Sequence, residues 1–191
     1  LLSVSGHKIH GPKGSGFLYI DEKAKVRPLI LGGGQQNGMR SGTDNVPGAA
    51  GLGQAAAEAY TDFEERIDRL YENKAFFIEG IRQLSVEAVV NTVPGRESAP
   101  HIVNVSFPGV RSEVLLHALE ERGVYVSSGS ACSSHKKLPV STVLTEIGLS
   151  KELLESAVRF SFCPETTREE LEYALGVLGE LLPMLRRYTR H

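Results

Sequence analysis

The chain has 191 residues, 41% of them apolar, with 21 basic and 23 acidic side chains giving a formal net charge of -2. That length holds one or two modest domains with a real core. The mixed charge excludes a nucleic-acid footprint, and no apolar run reaches the ~20 residues that span a bilayer. The opening residues show no basic segment, apolar core and cleavage site of a secretory signal. The two cysteines, Cys132 and Cys163, are too few for a disulfide scaffold, so a reducing, cytoplasmic location is expected.

Leu1 to Val4 and Gly16 to Ile20 are apolar or β-rich and flank a glycine- and proline-rich segment, which predicts strand, loop, strand. LLSVSG reads as the tail of a buried strand, so the chain is expected to be a fragment. After the charged run 21–31 comes LGGGQQNGMRSGTDN, a polar loop whose length and composition exceed those of a plain linker. Pro47 and the small residues after it open a helical region. Phe63, Ile67, Leu70, Phe77, Ile81 and Leu84 continue it at helical spacing, predicting one long connecting helix bent near the small residues. VEAVVN and HIVNVSF read as strands, and SEVLLHALEERG as a helix with Gly123 at its C-cap. VYVS reads as a short strand that feeds the flexible run SSGSACSSHKKLPVS. Two helical stretches follow, the second capped by Ser150, then the alternating strand AVRFSFC. A final amphipathic helix over 166–188 is expected to kink or break late at Pro183. From residue 86 onward this order is that of a compact α/β layer domain.

Three polar, glycine-containing loops, at 5–14, 32–45 and 127–138, carry the chemistry-bearing side chains. The first, SVSGHKIHGPKGSG, offers two lysines, and the spacing from Gly6 to Gly11 mimics the opening of a P-loop. Pro12, Lys13 and Gly14 then stand where Lys and Ser/Thr are required, so the motif argues against a nucleotide triphosphate site. Together the loops supply an amine (Lys8), a thiol (Cys132), hydroxyls (Ser5, Ser41, Thr43) and a cation (Arg40).

SGHKIHGPKGSG, GGGQQNGMRSGTDN, SSGSACSS and VRFSF, in that order, resemble the successive signatures of the NifS/IscS-type cysteine desulfurases. These are pyridoxal-phosphate enzymes of the class V aminotransferase superfamily. The resemblance covers the whole chain but only the C-terminal half of the family's length. It implies the end of a fold-type-I large domain over 1–60, a connecting long helix over 61–85, and a small α/β domain carrying the cysteine loop over 86–191. Lys8, following His7, takes the role of the Schiff-base lysine, and Lys13 does not. Ser5, His7 and Thr43 match positions that hydrogen-bond the cofactor phosphate, Thr43 that of the neighbouring subunit, which implies a homodimer. Hydroxyl and imidazole donors suit a phosphate dianion. Read from the residues alone, Ser41 and Thr43 are also turn or helix caps before Pro47, and Arg40 is a surface arginine.

Cys132 matches the persulfide-forming cysteine, and the neighbouring His135, Lys136 and Lys137 favour its thiolate; Cys163 is given no role. Arg159 corresponds to the arginine that holds the substrate α-carboxylate in two-point contact, the alternative being a structural salt bridge. No metal site is implied, because His10, His101, His117 and His191 lack ligand spacing. The implied reaction converts L-cysteine to L-alanine, with sulfur kept on Cys132 as a persulfide. An acceptor such as an iron–sulfur scaffold or a tRNA-modifying protein then takes it. Selenocysteine lyase, another class V enzyme, and a non-catalytic dimerising or scaffold-binding domain are the competing readings. The family's cofactor-stacking aromatic or histidine and its pyridine-pairing Asp have no counterpart in these 191 residues. The fragment by itself is therefore expected to bind cofactor poorly and not to turn over.

Overall fold

The computed structural model describes residues 1–128 and 141–188. The chain divides into two compact units, Leu1–Phe63 and Glu64–His191.

In the first unit, strands β1 (Leu2–Ser5) and β2 (Gly16–Tyr19) pair antiparallel, with Leu2 opposite Tyr19 and Ser5 opposite Gly16. A one-turn 3-10 helix, Gly6–Ile9, begins the connection between them. The chain then runs irregularly to a second 3-10 turn at Gln35–Gly38 and to helix α1 (Val46–Ala59). Asn45 starts α1, its side-chain oxygen accepting from the Gly48 N–H at 3.0 Å, and Pro47 sits in the first turn, where a missing N–H costs nothing. Leu2, Phe17, Leu18, Tyr19, Leu29 and Leu31 are all exposed within this unit.

The single connecting helix expected from periodicity is two helices. Tyr60 N–H folds back to Ala57 and Glu58, the Thr61 hydroxyl takes the Ala57 carbonyl, and Asp62 adopts φ 50°, a left-handed conformation that ends α1. Helix α2 (Phe63–Gln83) starts afresh after it. The small residues 48–57 lie inside α1, so the break falls at the polar Thr61-Asp62 pair and not at them.

In the second unit α2 is followed by β3 (Val89–Val90), β4 (Ile102–Ser106), α3 (Ser112–Glu120), β5 (Ser127–Ser128), α4 (Thr142–Glu146), α5 (Lys151–Glu155), β6 (Ala157–Ser161) and α6 (Arg168–Tyr188). The sheet order is β3-β4-β6-β5, with every pair antiparallel. Alternation assigns the faces. Val103, Val105, Val158 and Phe160 point into one core with Phe77, Ile78 and Ile81 of α2, Leu115 and Leu119 of α3, and Leu171, Leu175, Leu178, Leu181 and Leu182 of α6. The intervening Asn104 and Arg159 therefore lie on the other, polar face. A Cβ on Gly80 would lie 2.3 Å from Leu175 Cδ1, so a glycine there permits the close approach of α2 and α6.

Gly123 follows α3 at φ 74°, with Gly123 N–H on Glu120 and Val124 N–H on Leu119, which is a Schellman closure. Three local expectations change. Within VYVS, residues 124–126 lie outside the ladder, and β5 begins only at Ser127. β6 ends at Ser161, so Cys163 stands beyond the strand in a turn where its N–H donates to Thr166 Oγ1 at 3.0 Å. Helix α6 runs through Pro183 to Tyr188, with Leu181 and Leu182 buried in the turn that lacks the Pro183 N–H bond.

Lys74 of α2 is only 1% exposed. Its Nζ donates to the Gly95 carbonyl at 3.1 Å and to the Ser98 hydroxyl, pinning the 94–98 turn, which Tyr71 also holds through Ser98 O at 3.2 Å. Burial pushes the Lys74 ammonium below its ordinary value. Among the described residues no helix is long and apolar enough to cross a membrane.

Candidate active site

The turn after β1 is shaped by two glycines. A Cβ on Gly16 would lie 2.4 Å from the Val4 carbonyl oxygen, so the hairpin closes only with a glycine there, and one on Gly6 would lie 2.6 Å from Ser15 Oγ and displace that hydroxyl. Gly6 N–H donates to Ser15 O at 2.8 Å, Gly11 N–H to Gly6 O at 2.9 Å, and Ser15 Oγ–H to Pro12 O at 2.6 Å. His10, at φ 64°, turns the chain out of the 3-10 segment.

On this frame stand Ser5, His7 and Lys8, all exposed. Ser5 occupies the N-cap position, yet its hydroxyl makes no cap bond. Among the described residues neither the His7 ring nor the Lys8 amine has an ion-pair or hydrogen-bond partner, so four consecutive residues present a free hydroxyl, imidazole and primary amine. Lys13 lies further along the same connection, just before Gly14 at φ 79°.

Thr43 is exposed in the 32–45 loop of the same unit and makes no hydrogen bond to the 5–8 turn among the described residues. Its neighbour Ser41 is 6% exposed and donates to the Gly33 carbonyl at 2.8 Å. Arg40 folds onto the Ser41 carbonyl. Ser41 thus closes its own loop and Asn45 caps α1, so neither Ser41 nor Thr43 is the helix cap that the residues alone allowed.

Arg159 belongs to the second unit. It is exposed at the middle of β6, between Asn104 of β4 and Ser127 of β5 in register. Its guanidinium donates to Ser127 Oγ at 3.2 Å and meets no carboxylate among the described residues. The polar face continues through Asn91, whose Nδ2 donates to Asn104 Oδ1 at 2.7 Å and Ser106 Oγ at 2.8 Å, and Ser106 donates to Leu153 O at 2.7 Å. Ser127 and Asn104 escaped the sequence reading; the only signal for them is a polar residue on an alternating strand opposite the arginine. Cys132, His135, Lys136 and Lys137 lie outside the described residues. The structure therefore gathers Ser5, His7 and Lys8 on one turn, and carries Thr43 and Arg159 on separate elements.

The chain is an α/β protein with a lysine-bearing glycine turn and a glycine-rich polar loop in one unit and an arginine on a polar sheet face in the other. The chain matches the aminotransferase class-V family over residues 1–174 and belongs to it. It is 41% identical over 186 residues to a cysteine desulfurase IscS of Dictyoglomus turgidum, covering 97% of this chain and 47% of that protein. It is 40% identical over 185 residues to a putative cysteine desulfurase IscS 1 of Bacillus subtilis, covering 97% of this chain and 48% of that one. Among solved structures, a NifS-like protein superposes with a TM-score of 0.83 at 36% identity, over 96% of this chain and 46% of the other. The apo cysteine desulfurase of Thermococcus onnurineus superposes with a TM-score of 0.76 at 27% identity, over 96% and 47%. The chain spans about half the length of the curated relatives it matches.

Proposed function

We propose that these residues belong to a pyridoxal-phosphate-dependent cysteine desulfurase that releases L-alanine from L-cysteine and passes the sulfur to an acceptor. The observation that carries the reading is the exposed Lys8 amine, unpartnered among the described residues and following the free donors Ser5 and His7 on one glycine-pinched turn. This donor set fits the cofactor. A primary amine can bond its carbonyl carbon, and a hydroxyl with an imidazole N–H can bind its phosphate without a P-loop. When bound, pyridoxal phosphate supplies an electron sink for bonds at the substrate's Cα.

The chain's own residues divide the remaining work. Lys8 would hold the cofactor through its amine, and the same amine, once released, would carry the proton at Cα. Ser5 and His7 bind the phosphate, and Thr43 serves the phosphate of a neighbouring subunit in a homodimer. Arg159 grips the substrate α-carboxylate with a planar fork, which fixes the orientation of the Cα bonds. Its Ser127 contact leaves most of its five donors free. Cys132 accepts the substrate sulfur as a persulfide and later delivers it to a protein such as an iron–sulfur scaffold or a tRNA-modifying enzyme; a cytoplasmic setting suits its reduced thiol.

The test is cofactor retention by the assembled enzyme. Lys8→Ala should lose the visible absorbance of lysine-bound cofactor, whereas Lys13→Ala should keep it. The reverse outcome would assign the wrong lysine and sink the reading.

A further inference from the structure

A cleft of about 500 Å³ opens in the second unit between the first turns of α6 and the end of the sheet, and the chemistry above does not use it. Phe77, Phe160 and Phe162 form its floor, with ring centroids 4.9 and 5.4 Å from Phe77. One side is the run 123–126, which includes Tyr125. The rim is Glu169 and Glu170.

The β5–β6 ladder contains Ser127 opposite Arg159 and Ser128 opposite Val158. One repeat further along, Tyr125 would face Ser161, and no backbone bond joins them among the described residues. Phe162 N–H donates to His101 O on the β4 side at 2.9 Å, so the amide and carbonyl of the preceding Ser161 face the open edge. Tyr125 is 79% exposed beside it.

The rim carries two carboxylates. Arg168 lies over the Phe76 ring at 3.8 Å, and Arg122 pairs with Glu180 at 3.2 Å, leaving Glu169 and Glu170 with no ion-pair partner among the described residues. The Glu170 carboxylate accepts the Thr167 N–H at 2.9 Å in a capping box, which holds it at the mouth. Backbone and Thr167 hydrogen bonds, with the neighbouring Arg168 charge, hold the Glu169 carboxyl below the usual carboxylate range, so it stays anionic.

We propose that this cleft docks an extended peptide segment of a partner protein, with an apolar or aromatic side chain on the phenylalanine floor and a lysine or arginine against Glu169 and Glu170. Open backbone groups supply the hydrogen bonds of strand addition, the aromatic floor supplies the apolar pocket, and the carboxylates select charge.

The experiment titrates the isotope-labelled 191-residue chain with the peptide Ac-Lys-Val-Phe-Val-Lys-NH2 and with its glutamate counterpart Ac-Glu-Val-Phe-Val-Glu-NH2, following amide resonances. The lysine peptide should shift residues 123–126, 160–162 and 166–174 as one cluster and bind about five-fold tighter than the glutamate peptide. Glu169→Gln should weaken the lysine peptide by about two-fold or more, whereas Glu172→Gln, outside the cleft on the same helix, should not. Equal binding of the two peptides, shifts scattered over the chain, or no binding would overturn the proposal. Shifts of the same cluster with protein concentration and no peptide would assign the cleft to a second copy and overturn it too.

Discussion

Phe77 connects α2 to the strand that carries Arg159, and truncating it measures how firmly that strand is held. The side chain is 0% exposed, with ring centroids 4.9 Å from Phe160 and 5.4 Å from Phe162. Phe→Ala at such a site costs about 3–5 kcal/mol, of which the two ring contacts account for about 0.5–1.5 kcal/mol each. The second unit has roughly 130 residues, so an unfolding entropy of about 2.1 cal/mol/K per residue gives roughly 0.27 kcal/mol per degree. Phe77→Ala should therefore lower the melting temperature of this unit by about 11–18 °C in a circular-dichroism melt of the 191-residue chain. Tyr125→Ala, at a side chain 79% exposed, should stay within about 2 °C. A Phe77→Ala shift under about 4 °C would refute the argument that α2 packs dry against β6.

Glycine substitutions should have opposite signs at two positions. Gly176→Ala, with nothing within 4 Å of the added Cβ, should stabilise α6 by about 0.5–1 kcal/mol, and Gly16→Ala, 2.4 Å from Val4 O, should destabilise the hairpin by about 1–3 kcal/mol in the same melts. Lys74 gives a pH signature. Its folded value lies below the ordinary 10.5, so the unfolded chain binds the extra proton, and stability should rise with pH through the window just below 10.5. Lys74→Met should flatten that rise in denaturant titrations taken across the window. In the assembled enzyme, Arg159→Lys should raise KM for L-cysteine by about ten-fold or more, because an ammonium cannot reproduce the two-point grip. An unchanged KM would place the carboxylate elsewhere.

The α/β class and the motif-bearing turns were legible because they rest on local signals: glycine-rich loops between apolar runs, Pro47 at a helix start, and apolar spacing at Phe77 and Ile81. The break at Asp62 was not legible, since helical periodicity runs on across it and only a left-handed φ records the interruption. Pro183 misleads in the opposite sense, because tertiary burial of Leu181 and Leu182 outweighs the local cost of the proline. Cys163 alternates with the strand before it, but the ladder ends at Ser161 and the Thr166 turn takes over. Ser127 and Asn104 beside Arg159 depend on sheet order and register, which bring residues 104, 127 and 159 side by side across non-adjacent segments. Lys8 itself is placed by a turn, and no periodicity could single it out from Lys13.

The most direct test of the proposed chemistry is alanine release from L-cysteine by the assembled enzyme carrying Cys132→Ser, with cofactor content measured on the same sample. The account predicts full cofactor occupancy with alanine formation lost, and near-normal release from Cys163→Ser. Undiminished alanine release from Cys132→Ser would contradict it and leave an enzyme of the same family with a different reaction.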